Sequence, residues 1–450
     1  MARFLFIHQN FPGQFRHLAP ALAEAGHEVR ATTLRSGSPR VWNGVAITSY
    51  KLQDKPVPHQ HAWLADMEAK LLRGLACLAA MREMRWEGFE PDVVVAHPGW
   101  GESLFVREVW PHTKLVMYGE FFYRDKGLDV DFDPEFPSPN ETQRGKLRMR
   151  NANHLLHLDA ADLVLCPTQW QASAFPAVYR DKIRVIHDGV DTHALRATPA
   201  RPLTLQAPVA TPGADARAAR KAQDSPGQIQ ITPGDEVVTF VSRNLEPYRG
   251  YHTFMRALPE LLRARPRLRI LIIGGDEVSY GAAPPQGKTW KQIFIDEVRP
   301  RISEVDWTRV RFLGRLPYDQ YLAVMALSTV HVYLTYPFVL SWSLIEAMSM
   351  GRAIVASDTA PVREVISHDV TGRLVNFFDA KALTQAVIAL LDDPATRERL
   401  GRSAAELAEQ RYDLQRVCLP AQQALLAGII PGWTNSKPSS PLLPSPSKAA

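Results

Sequence analysis

The sequence predicts an α/β protein of two tandem Rossmann-like domains, and three observations carry that prediction. The chain has 450 residues, more than one hydrophobic core usually organises, so two domains of roughly 200 residues are expected. Short, nearly continuous apolar strands alternate with helical patterns, as in parallel sheets covered by helices on both faces. Between residues 197 and 235 that rhythm stops in a stretch rich in Pro, Ala, Gly and polar residues, and beyond it the rhythm resumes. Apolar residues are 46% of the chain and charged residues 22%, which suits ordinary globular domains.

In the N-terminal half, FLFIH (4–8) leads into a helical pattern over LAPALAEA (18–25), which Gly26 closes before HEVRATT turns extended. DVVVAH (92–97), KLVMYGEF (114–121), DLVLCPT (162–168) and IRVIHDG (183–189) follow as strands. Residues 1–196 therefore form one doubly wound domain, and residues 197–235 read as a linker with a flexible insertion. EVVTFVSR (236–243) opens a second series with LRILIIGG (268–275), VRFLG (310–314), VHVYL (330–334), AIVAS (353–357) and RLVN (373–376). That domain is expected over 236–412. A helix within 413–430 is expected to pack back on the N-terminal domain, and the Pro/Ser-rich residues 431–450 read as a disordered tail. The carboxyl ends of both sheets are expected to face an interdomain cleft, where such folds collect ligands.

Charge and cysteine usage exclude several classes. The net charge is +5, and the positive excess lies in residues 196–450, which suits an anionic small ligand or a weak peripheral contact with acidic lipid headgroups. No Arg-rich tract with interleaved aromatics is present, so nucleic acid is not an expected partner. Cys77, Cys166 and Cys418 are far apart and imply neither a disulfide framework nor a zinc site, which fits a reducing cytoplasm. The first apolar run, FLFIH, is shorter than a signal-peptide core, and no run approaches the roughly 20 residues of a membrane span. LDVDFDPEF (128–136) places Asp129, Asp131 and Asp133 in two Asp-x-Asp triplets that could chelate a hard cation. They run into a Pro-rich loop without a strand-end context, so a solvated acidic loop is the expected reading and no metal requirement follows.

The residues that carry chemistry cluster in two stretches of the second half. VSRNLEPYRGYHTFMRALPELL (241–262) runs from a strand end into a helix beginning near Gly250. Arg243, Arg249 and that helix start are placed to hold a diphosphate. TYPFVLSWSLIEAMSMGRAIVASDTAPVREVI (335–366) reads as strand end, loop, helix with Glu346, strand, and a loop into a helix holding Glu364. A carboxylate there suits a ribose diol. In the first half, VVVAHPGWGES (93–103) puts His97 at the carboxyl end of a strand, NFPGQF (10–15) offers Gly13 for close approach of backbone to a ligand, and GEFFYR (119–124) adds Glu120.

These stretches, in this order and spacing, resemble the family 4 retaining glycosyltransferases, which have the two-Rossmann GT-B fold. GHEV (26–29), IRVIHDGVDT (183–192) and VRFLGRLPYDQYLAVMALSTVHVYL (310–334) resemble further segments of that family, and the resemblance covers about residues 1–195 and 236–430. It implies a retaining, metal-independent transferase that needs no cofactor beyond a nucleoside diphosphate sugar as co-substrate. The acceptor would be a saccharide, a lipid-linked molecule or a small molecule. By resemblance Arg243 and Arg249, with Arg in place of the usual Lys, clamp the diphosphate. Glu346 holds the ribose, Gly314 and Arg315 lie near the base, Ser341 and Trp342 belong to the donor loop, Glu364 is an acidic donor contact, and His97 approaches the transferred sugar or the acceptor. One departure stands out. The family carries two glutamates with seven residues between them, the first of which contacts the transferred sugar. Here that first position falls on Phe338, which can stack on an apolar sugar face but accepts no hydrogen bond. A nucleotide-sugar epimerase or hydrolase on the same scaffold, or a non-catalytic sugar-nucleotide-binding protein, are the alternative readings.

Overall fold

A computed structural model describes residues 1–53, 55, 61–137, 142–205 and 229–430. The chain divides into two compact units, Met1–Gly189 with Leu414–Ala450, and Val190–Asp413. The expected disordered tail, 431–450, lies outside the described residues, as does 206–228 of the expected insertion.

The first unit is built on an eight-stranded sheet of β1 (Arg3–Ile7), β2 (Glu28–Thr33), β3 (Val41–Trp42), β4 (Val45–Ser49), β5 (Val93–Ala96), β6 (Lys114–Tyr118), β7 (Leu163–Cys166) and β8 (Ile183–Val185). Their order is β3-β4-β2-β1-β5-β6-β7-β8, parallel except where β3 pairs antiparallel with β4. Strands β5 and β7 are buried at every position, which is why they read as unbroken apolar runs. Alternate residues feed two cores. Phe4, Phe6, Val93, Val95 and Val116 pack on one face with Phe15 and Leu18, while Leu5, Ile7, Val94 and Leu115 pack on the other with Met81 and Met84 of the helix Ala65–Trp86. The helix Leu419–Ile429 sends Leu426 into the first of these cores.

In the second unit, two short strands stand where the composition reads as linker. β9 (Leu203–Leu205) and β10 (Ile229–Ile231) pair antiparallel, and Ile231 is fully buried in the unit's core with Leu203 and Leu205 packed beside it. Three-residue strands show too little alternation to stand out of a Pro-rich background. The main sheet is six-stranded and wholly parallel: β11 (Val237–Asn244), β12 (Arg269–Gly275), β13 (Val310–Gly314), β14 (Val330–Tyr333), β15 (Ala353–Ser357) and β16 (Arg373–Val375), in the order β13-β12-β11-β14-β15-β16. Residues 190–196, read with the N-terminal domain, pack in this unit: the Val190 N–H donates to the Tyr412 carbonyl and Leu195 joins its core.

In each sheet the strand order reverses at one place, between β1 and β5 in the first and between β11 and β14 in the second. Such a reversal point, at the carboxyl ends of the strands, is the usual ligand position of open α/β sheets.

Candidate functional site

At the reversal in the second sheet, the register between β11 and β12 breaks between Val241 and Asn244, and the Ser242 hydroxyl donates to the Asn244 carbonyl at 2.6 Å. A break of this kind re-aims side chains. Arg243, within it, is exposed and has no hydrogen-bond or ion-pair partner among the described residues. The chain then makes a tight turn over Pro247–Arg249 and enters the helix Tyr251–Ala264 through Gly250 at φ +69°. Only glycine fits here, because a Cβ would lie 2.3 Å from the Leu334 Cβ.

That turn places Arg249, 7% exposed, beneath the loop that follows β14. One guanidinium nitrogen donates to the Thr335 hydroxyl at 2.8 Å and to the Val339 carbonyl at 2.9 Å. The guanidinium carbon lies 5.2 Å from the Tyr280 ring centre and 5.6 Å from that of Phe338. The other guanidinium N–H groups make no hydrogen bond to the described residues, which leaves them for an anion. Phe338 itself is 6% exposed, with Tyr248 at 5.0 Å and Tyr280 at 4.9 Å between ring centres. These two rings and the burial leave little of the Phe338 ring exposed.

Ser341 caps the helix Trp342–Ser349 by accepting the Ser343 N–H, and its own N–H donates to the Tyr333 hydroxyl at 2.8 Å. Trp342, half-buried, begins the helix. Glu346, 5% exposed, lies one turn on. Its two carboxylate oxygens accept from the hydroxyls of Tyr318 at 2.9 Å and Tyr321 at 2.8 Å. Burial, and then the Glu346 charge, push the Tyr321 hydroxyl well above its ordinary pKa, so this tyrosine remains a donor.

A cavity of about 340 Å³ is lined by Ser242, Arg243, Arg315 and Tyr321, and so joins one predicted arginine to the tyrosine that holds Glu346. A larger cavity of about 1020 Å³ is lined by β9, Asp276, Glu277, Lys291, Gly314 and Arg315. Gly314 takes φ +64° at the end of β13, and Arg315 donates to the Asn244 side chain at 2.8 Å and to Glu277 at 2.5 Å. Glu364 comes later in the chain, after β15. It is half-buried just past the single turn Ala360–Arg363, rather than inside a helix, and lines neither cavity.

The reversal in the first sheet gathers a second group. His97 follows β5, and its Nδ1 accepts the Gly99 N–H at 3.1 Å, which leaves the ring proton on Nε2, 3.4 Å from Glu120. That gap is too long for a well-formed hydrogen bond, and Nε2 is buried without another partner among the described residues. The imidazole stacks on Trp100 with ring centres 4.6 Å apart. His8, at the end of β1, pairs its Nε2 with Gln14 at 2.8 Å, and Gln14 donates to Glu120 at 3.1 Å. Burial pushes His8 down to about 3. Burial alone would raise Glu120, but the nearby His97 ring and the Gln14 N–H outweigh it and hold the carboxyl below its usual range. Gly13, at φ +48°, lies over the His8 ring, where a Cβ would come 2.3 Å from Nε2. Gly13 therefore packs against His8, which its sequence context did not disclose. His8, Gln14, Tyr318 and Tyr321 lie inside stretches read from the sequence for other reasons, and only the fold connects them to His97 and Glu346.

The acidic loop is solvated only in part. Asp131 is exposed, at φ +56°, but Asp133 is buried and accepts the Glu135 N–H at 3.0 Å, a local turn that the run of carboxylates did not reveal.

Residues 25–195 match the family model described as Glycosyl transferase family 4 group, and residues 223–407 match Glycosyl transferases group 1. Each half of the chain thus resembles a glycosyltransferase family model. D-inositol 3-phosphate glycosyltransferase of Corynebacterium efficiens is 28% identical over 256 residues, 56% of this chain and 53% of that protein. Phosphatidyl-myo-inositol mannosyltransferase of Mycolicibacterium smegmatis is 33% identical over 181 residues, 39% of this chain and 41% of that one. The chain thus spans about half the length of the curated relatives it matches. Among solved structures, Anabaena Alr3699/HepE in complex with UDP and glucose superposes with a TM-score of 0.60 at 17% identity, covering 95% of this chain and 100% of that one. Sucrose-phosphate synthase from Thermosynechococcus elongatus gives 0.66 at 19% identity, covering 95% and 98%. At these identities the likeness is one of fold, and that fold is GT-B. Among the described residues no helix is long and apolar enough to cross a membrane.

Proposed function

We propose that the chain transfers a sugar from a nucleoside diphosphate donor to a hydroxyl acceptor, with retention at the anomeric carbon and without a resident metal. The observation that carries this reading is the convergence at the second reversal point: an exposed Arg243 without a partner among the described residues, a buried Arg249 with open N–H groups, and a Glu346 carboxylate oriented by two tyrosines. Arg243 and Arg249 neutralise the charge that grows on the departing diphosphate, electrostatics placed in advance of the reaction. Glu346 takes the ribose hydroxyls, and Gly314 and Arg315 border the space for the base. Ser341 and Trp342 contribute the turn that sets Glu346, and Glu364 is a more distant donor-side contact. His97, with Glu120 behind it, serves the transferred sugar or the acceptor.

The named relatives support an acceptor with ring or polyol hydroxyls, whether saccharide, lipid-linked or small, and HepE, solved with UDP and glucose, supports a sugar nucleotide. Three buried free thiols suit a reducing cytoplasm, and the basic second half suits peripheral attachment to the membrane that bounds it. The test is turnover with UDP-, GDP- and ADP-sugars over a panel of inositol, sugar-phosphate and lipid acceptors, with the anomeric proton of the product read by NMR. A product with the donor's anomeric configuration is expected, and an inverted product or donor loss without any acceptor would refute the reading.

A further inference from the structure

The stretch that reads as a linker holds a strand with half of its hydrogen bonding unused. Among the described strands β9 pairs with β10 alone, in the register Leu203↔Ile231, Thr204↔Gln230 and Leu205↔Ile229. Its other edge makes no hydrogen bond to the described residues, and an open strand edge is a row of unpaired N–H and C=O groups. Leu203 and Leu205 are half-buried against the core, whereas Thr204, on the opposite face, is exposed. All three nevertheless line the cavity of about 1020 Å³ at the carboxyl ends of β12 and β13. Neighbouring side chains of a strand point to opposite faces, so a cavity that all three residues line runs along the main chain of β9.

The chemistry of this cavity suits a neutral polar ligand. Its charged side chains are paired with one another, Lys291 with Asp276 at 3.2 Å and Arg315 with Glu277 at 2.5 Å. Gly274, Arg315 and Leu316 also line the smaller cavity on which Arg243 stands, and Arg243 is exposed without a partner among the described residues. An unpaired cation on one side, and paired charges beside an open backbone on the other, match the two ends of a nucleotide: phosphate toward Arg243 and base against β9. A strand residue turns its N–H and its C=O to the same side, and uracil, guanine and adenine each carry a donor next to an acceptor on the Watson–Crick edge. We propose that the open edge of β9 reads the nucleobase of the donor through main-chain hydrogen bonds. The inference rests on the reading of the Arg243 side as a sugar-nucleotide site.

Calorimetric titration and amide hydrogen exchange on the full chain separate the two. UDP, GDP, ADP and inorganic pyrophosphate are titrated first, then the form of the bound nucleotide methylated on its Watson–Crick edge: N3-methyl-UDP, N1-methyl-GDP or N1-methyl-ADP. The methyl group is expected to weaken binding about tenfold, the worth of one hydrogen bond. The bound nucleotide should slow exchange at one or more of the Leu203–Leu205 amides, and pyrophosphate should not. Neighbouring N–H groups face opposite edges of a strand, so Thr204→Pro and Leu205→Pro each delete a donor on a different edge. The variant that loses the cavity-side donor should bind the parent and methylated nucleotides alike while holding pyrophosphate within about twofold of wild type. Failure of every nucleotide to bind wild type would remove the underlying site and this proposal with it. A nucleotide that binds with exchange at β9 unchanged, a methylated base bound as tightly as its parent, or full discrimination kept by both proline variants would overturn the proposal and leave the donor site standing.

Discussion

Arg243 and Arg249 are assigned the same ligand but stand in opposite structural situations, and that contrast makes a sharp prediction. Arg249 is buried and donates at 2.8 Å to Thr335 and at 2.9 Å to Val339. Arg249→Ala strands two acceptors, each costing about 1–3 kcal/mol when buried, so a net loss of roughly 3 kcal/mol is expected. At about 2–4 °C per kcal/mol for a domain of this size, the melting midpoint falls by roughly 6–12 °C. Arg243 is exposed without a partner among the described residues, so Arg243→Ala changes stability by no more than about 0.5 kcal/mol. It does remove a charge-assisted bond to phosphate, worth about 1.5–3 kcal/mol or roughly ten- to a hundredfold in affinity. Scanning calorimetry paired with titration of UDP, GDP and ADP reads both quantities. An Arg243→Ala chain that melts like wild type and binds nucleotide just as tightly would refute the assignment of that arginine, and an Arg249→Ala chain of undiminished stability would refute the geometry described for the buried one.

Other outcomes follow from the same structure. Burial holds His8 near pKa 3 and both His157 and His187 near 4. Below about pH 6.5 the unfolded chain therefore binds more protons than the folded one. Stability is then full above that pH and falls on acidification toward the folded pKa values, by up to about 1.4 kcal/mol per pH unit for each histidine; a melting midpoint that stays flat from about pH 7 to about pH 5 would contradict this. Gly250→Ala forces a Cβ within 2.3 Å of Leu334 at a positive φ, and a loss of several kcal/mol in urea unfolding is expected, where a neutral effect would mean that the turn is misplaced. Tyr321→Phe removes one of the two hydroxyls on Glu346 and should lower affinity for ribonucleotides while leaving 2′-deoxyribonucleotides less affected; equal losses for both would detach Glu346 from the ribose. Transfer should persist in EDTA, and its restoration by Mn²⁺ after loss would return a metal role to the Asp129–Asp133 loop.

How much of this was legible in the sequence differs by level. The frame of the two sheets could be read because buried parallel strands such as Val93–Ala96 and Leu163–Cys166 are apolar at every position. The β9–β10 pair could not, since LTL and IQI are too short to show a period and their partners are far apart in the chain. Within the site, Arg243, Arg249 and Glu346 stand at strand ends and helix starts, where a local reading suffices. The groups that set their chemistry do not. Tyr321 meets Glu346 across 25 positions, Thr335 meets Arg249 across 86, and Gln14 meets Glu120 across 106. Phe338 illustrates the limit most directly: the family resemblance only singles out its position, and it takes packing against Tyr248 and Tyr280 to show that its ring is internal.

The most direct test of the central claim is a crystal structure of the full chain with its nucleoside diphosphate sugar. The account places the diphosphate against Arg243 and Arg249, the ribose hydroxyls on Glu346 between Tyr318 and Tyr321, and the base beside Gly314 and Arg315. A nucleotide bound away from the second sheet's reversal point, or bound there with its phosphates turned from both arginines, would contradict it.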